Sequence, residues 1–227
     1  KYINGKYIWD DGKYYIGEFM NNIPNGYGIK YYSNGNILYE GCFMNGKFEG
    51  NGKYIYDDGD YFIGQFKNGL RHGNGTLHYK NGNIAFEGEY INGKSEGNGK
   101  YIYENGNYYI GQWKNGLKNG KGIMYYSNGK IMYEGDWIND KPEGIGKRIY
   151  DNNEYYIGNF KRGLRIGKGI YYYSNGKIKY EGDWVNDKPE GNGKYIYEDG
   201  EYYIGQFKNG LKLGKGTEYY SDSSIKC

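Results

Sequence analysis

The sequence predicts an all-β fold: one elongated antiparallel sheet of tandem β-hairpins, with no single globular core. Three observations predict it. A phrase Tyr-x-Gly-x-aromatic, with Phe at times for Tyr, starts at Tyr15, Tyr39, Phe62, Phe86, Tyr109, Tyr133, Tyr156, Tyr180 and Tyr203, so the steps alternate 24 and 23 within a 47-residue period. A period of this size marks a repeat array. Turn dipeptides are equally regular, with Asn68-Gly69, Asn115-Gly116 and Asn209-Gly210 at one set of turns and Asp58-Gly59, Asn81-Gly82 and Asp199-Gly200 at the other. Between them the side chains alternate with the strand period of two. A glycine every few residues excludes helix, at about 1 kcal/mol each relative to alanine.

Composition sets the kind of sheet. Only 37% of the 227 residues are apolar, yet there are 33 Tyr, 8 Phe and 4 Trp beside 42 Gly. Disordered chains are poor in aromatics, so low hydropathy here means shallow burial. The formal charge of +3 is too small for a nucleic-acid binder. Cys42 and Cys227 form neither a disulfide framework nor a zinc motif, which favours an intracellular setting. No apolar run reaches the length of a membrane helix and no signal peptide is visible. The chain begins at Lys1 within a repeat and reads as a piece of a longer protein.

Taken in order, residues 1–14 are a partial repeat, 15–220 hold about nine repeats, and 221–227 are a decayed cap, with Cys227 at the next aromatic position. In the unit starting at Tyr39 the inner face takes Tyr39, Gly41 and Phe43, then Gly52, Tyr54 and Tyr56. The expected register pairs Tyr39 with Tyr56, Gly41 with Tyr54, and Phe43 with Gly52, so that rings lie over glycines where a side chain would collide. The last inner position of each return strand is always Tyr, from Tyr32 to Tyr220, and reads as the spine. On the other face the same register sets Glu89, Asp136 and Asp183 across from Lys100, Lys147 and Lys194. There they alternate with the apolar Ile16, Ile63, Ile110, Ile157 and Ile204 and with Tyr31, Tyr125, Tyr172 and Tyr219. Native twist is expected to coil so long a ribbon into a rod or open spiral.

The segments Tyr-Ile-Gly-Gln-Trp-Lys-Asn-Gly-Leu-Lys-Asn-Gly-Lys-Gly at 109–122 and Phe-Ile-Gly-Gln-Phe-Lys-Asn-Gly-Leu-Arg-His-Gly-Asn-Gly at 62–75 closely resemble the MORN (membrane occupation and recognition nexus) repeat. The resemblance runs over essentially the whole chain. It implies a twisted sheet of hairpins with an aromatic-lined groove. It also implies roles as a cytoskeletal or membrane-associated scaffold, a dimerising rod, an adaptor holding a partner segment, or an accessory domain of a larger enzyme such as a lipid kinase. Local departures are Asp140 with Pro142 and Asp187 with Pro189 at two tips, and Asn152-Asn153 at one turn, where a different turn is expected.

Catalysis is not expected. His72 falls at a tip and His78 on the face away from the inner aromatics, so no nucleophile has a base beside it. No cofactor or metal is called for. On the inner face one column varies: Lys30, Tyr54, Leu77, Tyr101, Met124, Arg148, Tyr171, Tyr195 and Glu218. It either encodes which protein partner fits or repacks with the local twist. The central set Tyr101, Trp113, Met124, Trp137, Arg148 and Tyr171 is the candidate partner groove for a peptide or helix. The alternative is an anionic-lipid surface, such as a phosphoinositide membrane, met by paired cations at the tips: Lys67 and Arg71, Lys114 and Lys118, Arg162 and Arg165, Lys208 and Lys212. Free sheet edges at the ends of the array also allow a homodimer.

Overall fold

The computed structural model describes residues 3–226, so Cys227, the expected aromatic position of the cap, lies outside it. Every described element is a strand, and the chain falls into two compact units, Lys1–Gly116 and Leu117–Cys227. The first holds β1 (Ile3–Ile8), β2 (Tyr14–Met20), β3 (Ile23–Tyr31), β4 (Ile37–Met44), β5 (Lys47–Ile55), β6 (Tyr61–Lys67), β7 (Leu70–His78), β8 (Ile84–Ile91), β9 (Lys94–Ile102) and β10 (Tyr108–Lys114). The second holds β11 (Leu117–Tyr125), β12 (Ile131–Ile138), β13 (Lys141–Ile149), β14 (Tyr155–Lys161), β15 (Leu164–Tyr172), β16 (Ile178–Val185), β17 (Lys188–Ile196), β18 (Tyr202–Lys208) and β19 (Leu211–Tyr219). Within each unit every strand pairs antiparallel with its neighbour in sequence, which is the expected array of hairpins.

The register differs from the expected one by two residues at Tyr39 and Gly41 and by four at Phe43, on the tip side of a bulge. Tyr39 pairs with Tyr54, Gly41 with Gly52 and Phe43 with Phe48. The cause lies in two pieces of local chemistry. Asn45 and Gly46 both take positive φ, 50° and 77°, which makes a two-residue type I′ turn and closes the hairpin tightly. Gly50, at φ 61°, and Asn51 then form a bulge on β5 before pairing resumes at Gly52. A slip of two or four leaves every side chain on its expected face, because the strand period is two.

The charge pairs move with the register. Lys100 faces Glu87, Lys147 faces Glu134 and Lys194 faces Glu181. Of the residues assigned to them, Glu89 faces Glu96, while Asp136 and Asp183 form ion pairs with Lys121 and Lys168 at 2.8 and 2.9 Å. The unusual tips need no different turn. Asn139 and Asp140, like Asn186 and Asp187, keep both positive φ angles of the type I′ turn. Asp tolerates that region, and the side chains of Asp140 and Asp187 accept the backbone N–H of Lys118 and Arg165, both at 2.9 Å. Pro142 and Pro189 lack only a donor, and their carbonyls accept from Gly163 and Gly210. Asn153 takes φ 61° in a turn where Glu154 N–H donates to Asn152 Oδ1, as Asp60 N–H does to Asp58 Oδ1 at an Asp-Gly turn.

One feature organises both faces. Every strand contributes a glycine at the same level, opposite the glycine of its neighbour, from Gly5 on β1 to Gly111 on β10 and from Gly122 on β11 to Gly216 on β19. On the ring face the first aromatic of each phrase lies across this row. A Cβ on Gly41 would fall 2.6 Å from the Tyr39 hydroxyl oxygen, and one on Gly146 2.5 Å from that of Tyr133. The hydroxyls of Tyr39 and Tyr133 donate to the carbonyls of Cys42 and Asp136.

Candidate binding surfaces

The core is a ladder of edge-on rings. In the first unit Tyr15 meets Phe19 and Phe43, Tyr39 meets Phe43 and Phe66, Phe62 meets Phe66 and Tyr90, and Phe86 meets Tyr90 and Trp113, at centroid distances of 4.7–5.3 Å. The second unit repeats the zigzag through Tyr133, Trp137, Phe160, Tyr156, Trp184, Tyr180 and Phe207. Interplanar angles near 90° are the geometry that aromatic quadrupoles favour. All of these rings are buried, so the column that starts each phrase is the true spine. The tyrosines from Tyr32 to Tyr220 lie one residue beyond the strands, in the inter-hairpin turns. Of these only Tyr173 is buried. Every second one, Tyr32, Tyr79, Tyr126 and Tyr173, donates its hydroxyl to the carbonyl of an Ile 23 residues on. Burial pushes the phenols of Tyr15 and Tyr156 up to about 12, and those of Tyr39, Tyr133 and Tyr180 higher still.

The six candidate groove residues divide into two kinds. Trp113, in the first unit, and Trp137, in the second, are buried rungs whose indole N–H groups donate to the carbonyls of Gly99 and Gly122. They are supports and offer little contact surface. Tyr101, in the first unit, and Met124, Arg148 and Tyr171, in the second, are half-buried at the lip of the ring face. Arg148 lies 5.0 Å over Phe160 and donates to the Gly163 carbonyl at 3.1 Å. Tyr171 donates to Glu154 at 2.9 Å, and Lys179 closes that cluster at 2.7 Å from the same carboxylate. Glu154 stays below the usual carboxylate range: its burial acts upward, but the hydrogen bonds from Lys179 and Tyr171 outweigh it.

The basic tips do not form one edge. Arg71, Lys118, Arg165 and Lys212 turn onto the ring face, at 4.7, 5.0, 4.2 and 4.6 Å from the centroids of Tyr90, Trp137, Trp184 and Tyr203. Arg71 also donates to the Gly93 carbonyl at 2.7 Å, and Arg165 to Asp187 Oδ1 at 3.1 Å. Sequence spacing pairs Lys67 with Arg71 and Lys208 with Lys212, but strand parity sends the members of each pair to opposite faces, and Arg162 stands in its turn at φ 52°. Lys67, Lys114, Arg162, Lys208 and Lys212 are exposed, whereas Arg71 and Arg165 are half-buried and Lys118 is buried. Leu70 faces Lys67, Leu211 faces Lys208, and Leu164 follows Arg162 by two residues, each leucine more than a third exposed.

The opposite face holds an open concavity in each unit, and a larger hollow of about 700 Å³ lies at the inter-hairpin turns of the first unit, lined by Asp60, Tyr79, Asn83 and Tyr103. In the second unit a furrow of about 570 Å³ runs over the glycine row, lined by Ile157, Lys168, Ile170, Glu181, Asn192 and Ile204. The first unit repeats it, again at about 570 Å³, over Ile63, Asn74, Thr76, Glu87 and Asn98. This face was legible only as register-setting charges and apolar stripes. The glycine row does not explain the furrow, since a Cβ on Gly169 or Gly193 would point into the rings of Tyr156 and Tyr180 on the other face. The furrow is the gap between the two lines of side chains that flank the row. His78 belongs here too, stacked 4.6 Å from Tyr61 in the seat that Tyr31 fills against Tyr14 and Tyr172 against Tyr155. His72 has its Nδ1 buried without a hydrogen-bond partner. No group of three or more His, Cys, Asp or Glu side chains among the described residues could hold a metal, and no described helix is long and apolar enough to cross a membrane.

Tight two-residue turns, a glycine row and a self-packed ring ladder define a tandem-hairpin repeat protein, whose surfaces repeat every 47 residues. The chain belongs to the MORN repeat family: nine consecutive repeats match its model, at 15–37, 39–61, 62–84, 86–108, 109–131, 133–155, 156–178, 180–202 and 203–225. Such repeats commonly mediate protein or membrane interactions and are generally non-catalytic. None of the curated proteins compared matches the chain. Among solved structures it is similar to a protein of unknown function from Bacteroides caccae, 11% identical, covering 99% of this chain and 80% of that one, with a TM-score of 0.18. A score that low carries no argument.

Proposed function

We propose that this chain is a non-catalytic scaffold or adaptor that holds a protein segment, peptide or helix, on its ring face, within an intracellular cytoskeletal or membrane-associated assembly. One observation carries the reading. Beside a rigid, buried ring ladder runs a half-buried row whose identity changes from hairpin to hairpin, with Tyr54, Leu77 and Tyr101 in the first unit and Met124, Arg148, Tyr171 and Tyr195 in the second. A stiff support under varied, partly exposed side chains is how selective contacts are preorganised. The reading needs no cofactor or metal. Its test is partner capture by proximity labelling with Tyr101→Ser, Met124→Ser and Tyr171→Ser combined. Partners should be lost while the melting curve holds, and an unchanged partner set would refute it.

A second reading has its own observation. The exposed cations Lys67, Arg162 and Lys208 each share a hairpin tip with an exposed leucine, Leu70, Leu164 and Leu211, and an aliphatic group with a nearby cation suits an anionic membrane surface. Reversal of these three and of the exposed Lys114 to Glu should abolish sedimentation with anionic liposomes. Retained sedimentation removes the lipid reading.

A further inference from the structure

We infer that the hollow at the inter-hairpin turns of the first unit takes a lysine side chain from a protein partner, at a seat that the second unit fills with lysines of its own. The seat recurs with the 47-residue period. Residues 154 and 179 are Glu and Lys, residues 201 and 226 are again Glu and Lys, and two periods before the first pair residues 60 and 85 are Asp and Ala. Lys179 reaches Glu154 Oε1 at 2.7 Å and stands 5.0 Å over the ring of Tyr173. Lys226 repeats both contacts, donating to Glu201 and standing 5.0 Å over Tyr220. In the first unit the acceptor and the ring are kept, as Asp60 and Tyr79, but the cation is not: Ala85 brings only a buried methyl group. Among the described residues no ion pair reaches Asp60.

Space lies beside this unpaired carboxylate. The hollow, of about 700 Å³, is walled by Asp60, Tyr79, Ile84, Ile102, Tyr103 and Glu104, with Lys80 as the one cation on its rim. Tyr79 is fixed there by its hydroxyl, which donates to the Ile102 carbonyl at 2.8 Å, as Tyr173 donates to that of Ile196 at 2.9 Å. Ile84, 37% exposed, and Ile102 suit a four-carbon stem, while Asp60 and the face of Tyr79 suit an ammonium. Asp60 Oδ1 already accepts the backbone N–H of Lys80 at 2.9 Å, which favours a point charge at the other oxygen over the bidentate fork of a guanidinium. The Tyr79 hydroxyl also lies 3.5 Å from that of Tyr101, so a segment held on the half-buried row passes within reach of the hollow. The inference rests on that partner reading and adds to it the kind of side chain the segment carries.

Methyl NMR of the full chain, labelled at isoleucine and titrated at constant ionic strength with acetyl-Gly-Lys-Gly-amide, tests this. The Ile84 and Ile102 signals should shift saturably. Those of Ile178 and Ile196, their counterparts at the seat that Lys179 fills, should stay still until Lys179→Ala opens it. Peptides with norleucine or arginine in place of lysine should bind more weakly. Asp60→Asn, which installs the amide that the next repeat carries as Asn107, should weaken lysine binding roughly fivefold. Ala85→Lys fills the seat from within and should abolish the shifts; should it fold poorly, Asp60→Asn still decides. A flat titration, an equal response to norleucine or arginine, or an Asp60→Asn titration like the wild type's would overturn the proposal. The probe needs no partner, so that result leaves the ring-face reading standing, and the ring-face reading fails separately on its serine variants.

Discussion

The two units share one backbone phrase and fill its seats differently. At the seat before the ring column, the first unit buries Leu38 and Ala85, whereas the second carries Met132 and Lys179, the latter paired with Glu154. At the tips the first unit uses Asn21-Asn22 once and Asn-Gly at 45–46, 68–69 and 92–93, and the second uses Asn-Asp twice beside Arg162-Gly163 and Asn209-Gly210. At the second ring of the phrase, Tyr90 under Arg71 becomes Trp184 under Arg165. What stays constant is what touches backbone: the glycine row and the ring laid over it. Side-chain seats away from that row accept apolar, ionic or aromatic occupants, so repeat identity and surface identity are separable in this chain.

The strongest test of that separation removes equivalent rings. Trp184→Ala and Tyr90→Ala should each cost about 3–5 kcal/mol in urea unfolding, and each takes the platform from an arginine; the tryptophan should cost more, because the Gly169 carbonyl also loses its donor. Equal losses would mean that the indole hydrogen bond contributes nothing. Next in size are the glycines beneath the rings. Gly99→Ala would set a Cβ 2.6 Å from the Phe86 ring, and Gly146→Ala one 2.5 Å from the Tyr133 hydroxyl. Each should cost about 1–3 kcal/mol, Gly146 more, since a displaced Tyr133 also gives up its bond to the Asp136 carbonyl. A neutral Gly99→Ala would show that the Phe86 ring yields without cost and that the row is not steric in origin.

Which of these features were legible in the residues follows from what each depends on. The strands and their faces depend on local chemistry, glycine punctuation and alternation, and those readings survive, whereas the different turn expected at the tips before Pro142 and Pro189 does not. Register depends on bulges such as Gly50-Asn51, and the sign of one was present as Gly-Asn-Gly at 50–52, where two glycines serve different ends. Gly52 makes room for a ring and Gly50 takes a left-handed angle, a distinction that composition does not carry. The candidate groove was half legible for a similar reason. Trp113 and Trp137 share parity with the half-buried Tyr101 and Met124, but depth depends on the neighbouring hairpin's rings, which period alone does not reveal.

The ionic seat of the second unit makes a smaller difference testable. Lys179→Met copies the Met132 seat and leaves Glu154, 15% exposed at its side chain, with Tyr171 and Asn152 but no cation. The loss should be on the order of 1 kcal/mol at neutral pH, and Glu154→Asn added to it should restore most of that. The pH dependence has a definite sign. The folded carboxyl of Glu154 lies below its ordinary 4.5, so its contribution is present above that value and fades as pH falls through the folded one. Lys179→Met should therefore flatten the acid limb of the stability curve. An unchanged acid limb would show that this ion pair is screened.

The smallest neutral-pH effect belongs to the ring hydroxyl, and the first unit already contains the comparison in Phe62 and Phe86, which fill the spine without one. Tyr156→Phe removes a 3.3 Å bond to the Asn159 carbonyl and should cost under about 1 kcal/mol at pH 7. At alkaline pH the order reverses. Burial raises the folded phenol from 10.0 to about 12, so its stabilisation is complete below pH 10 and is lost as pH rises toward 12. The variant should thus resist alkaline unfolding better than the wild type while melting slightly earlier at neutrality. Tyrosinate absorbance recorded through the same titration decides it: ionisation of the spine that precedes loss of sheet signal, with no gain in the variant, would show that water already reaches the glycine row beneath the ring.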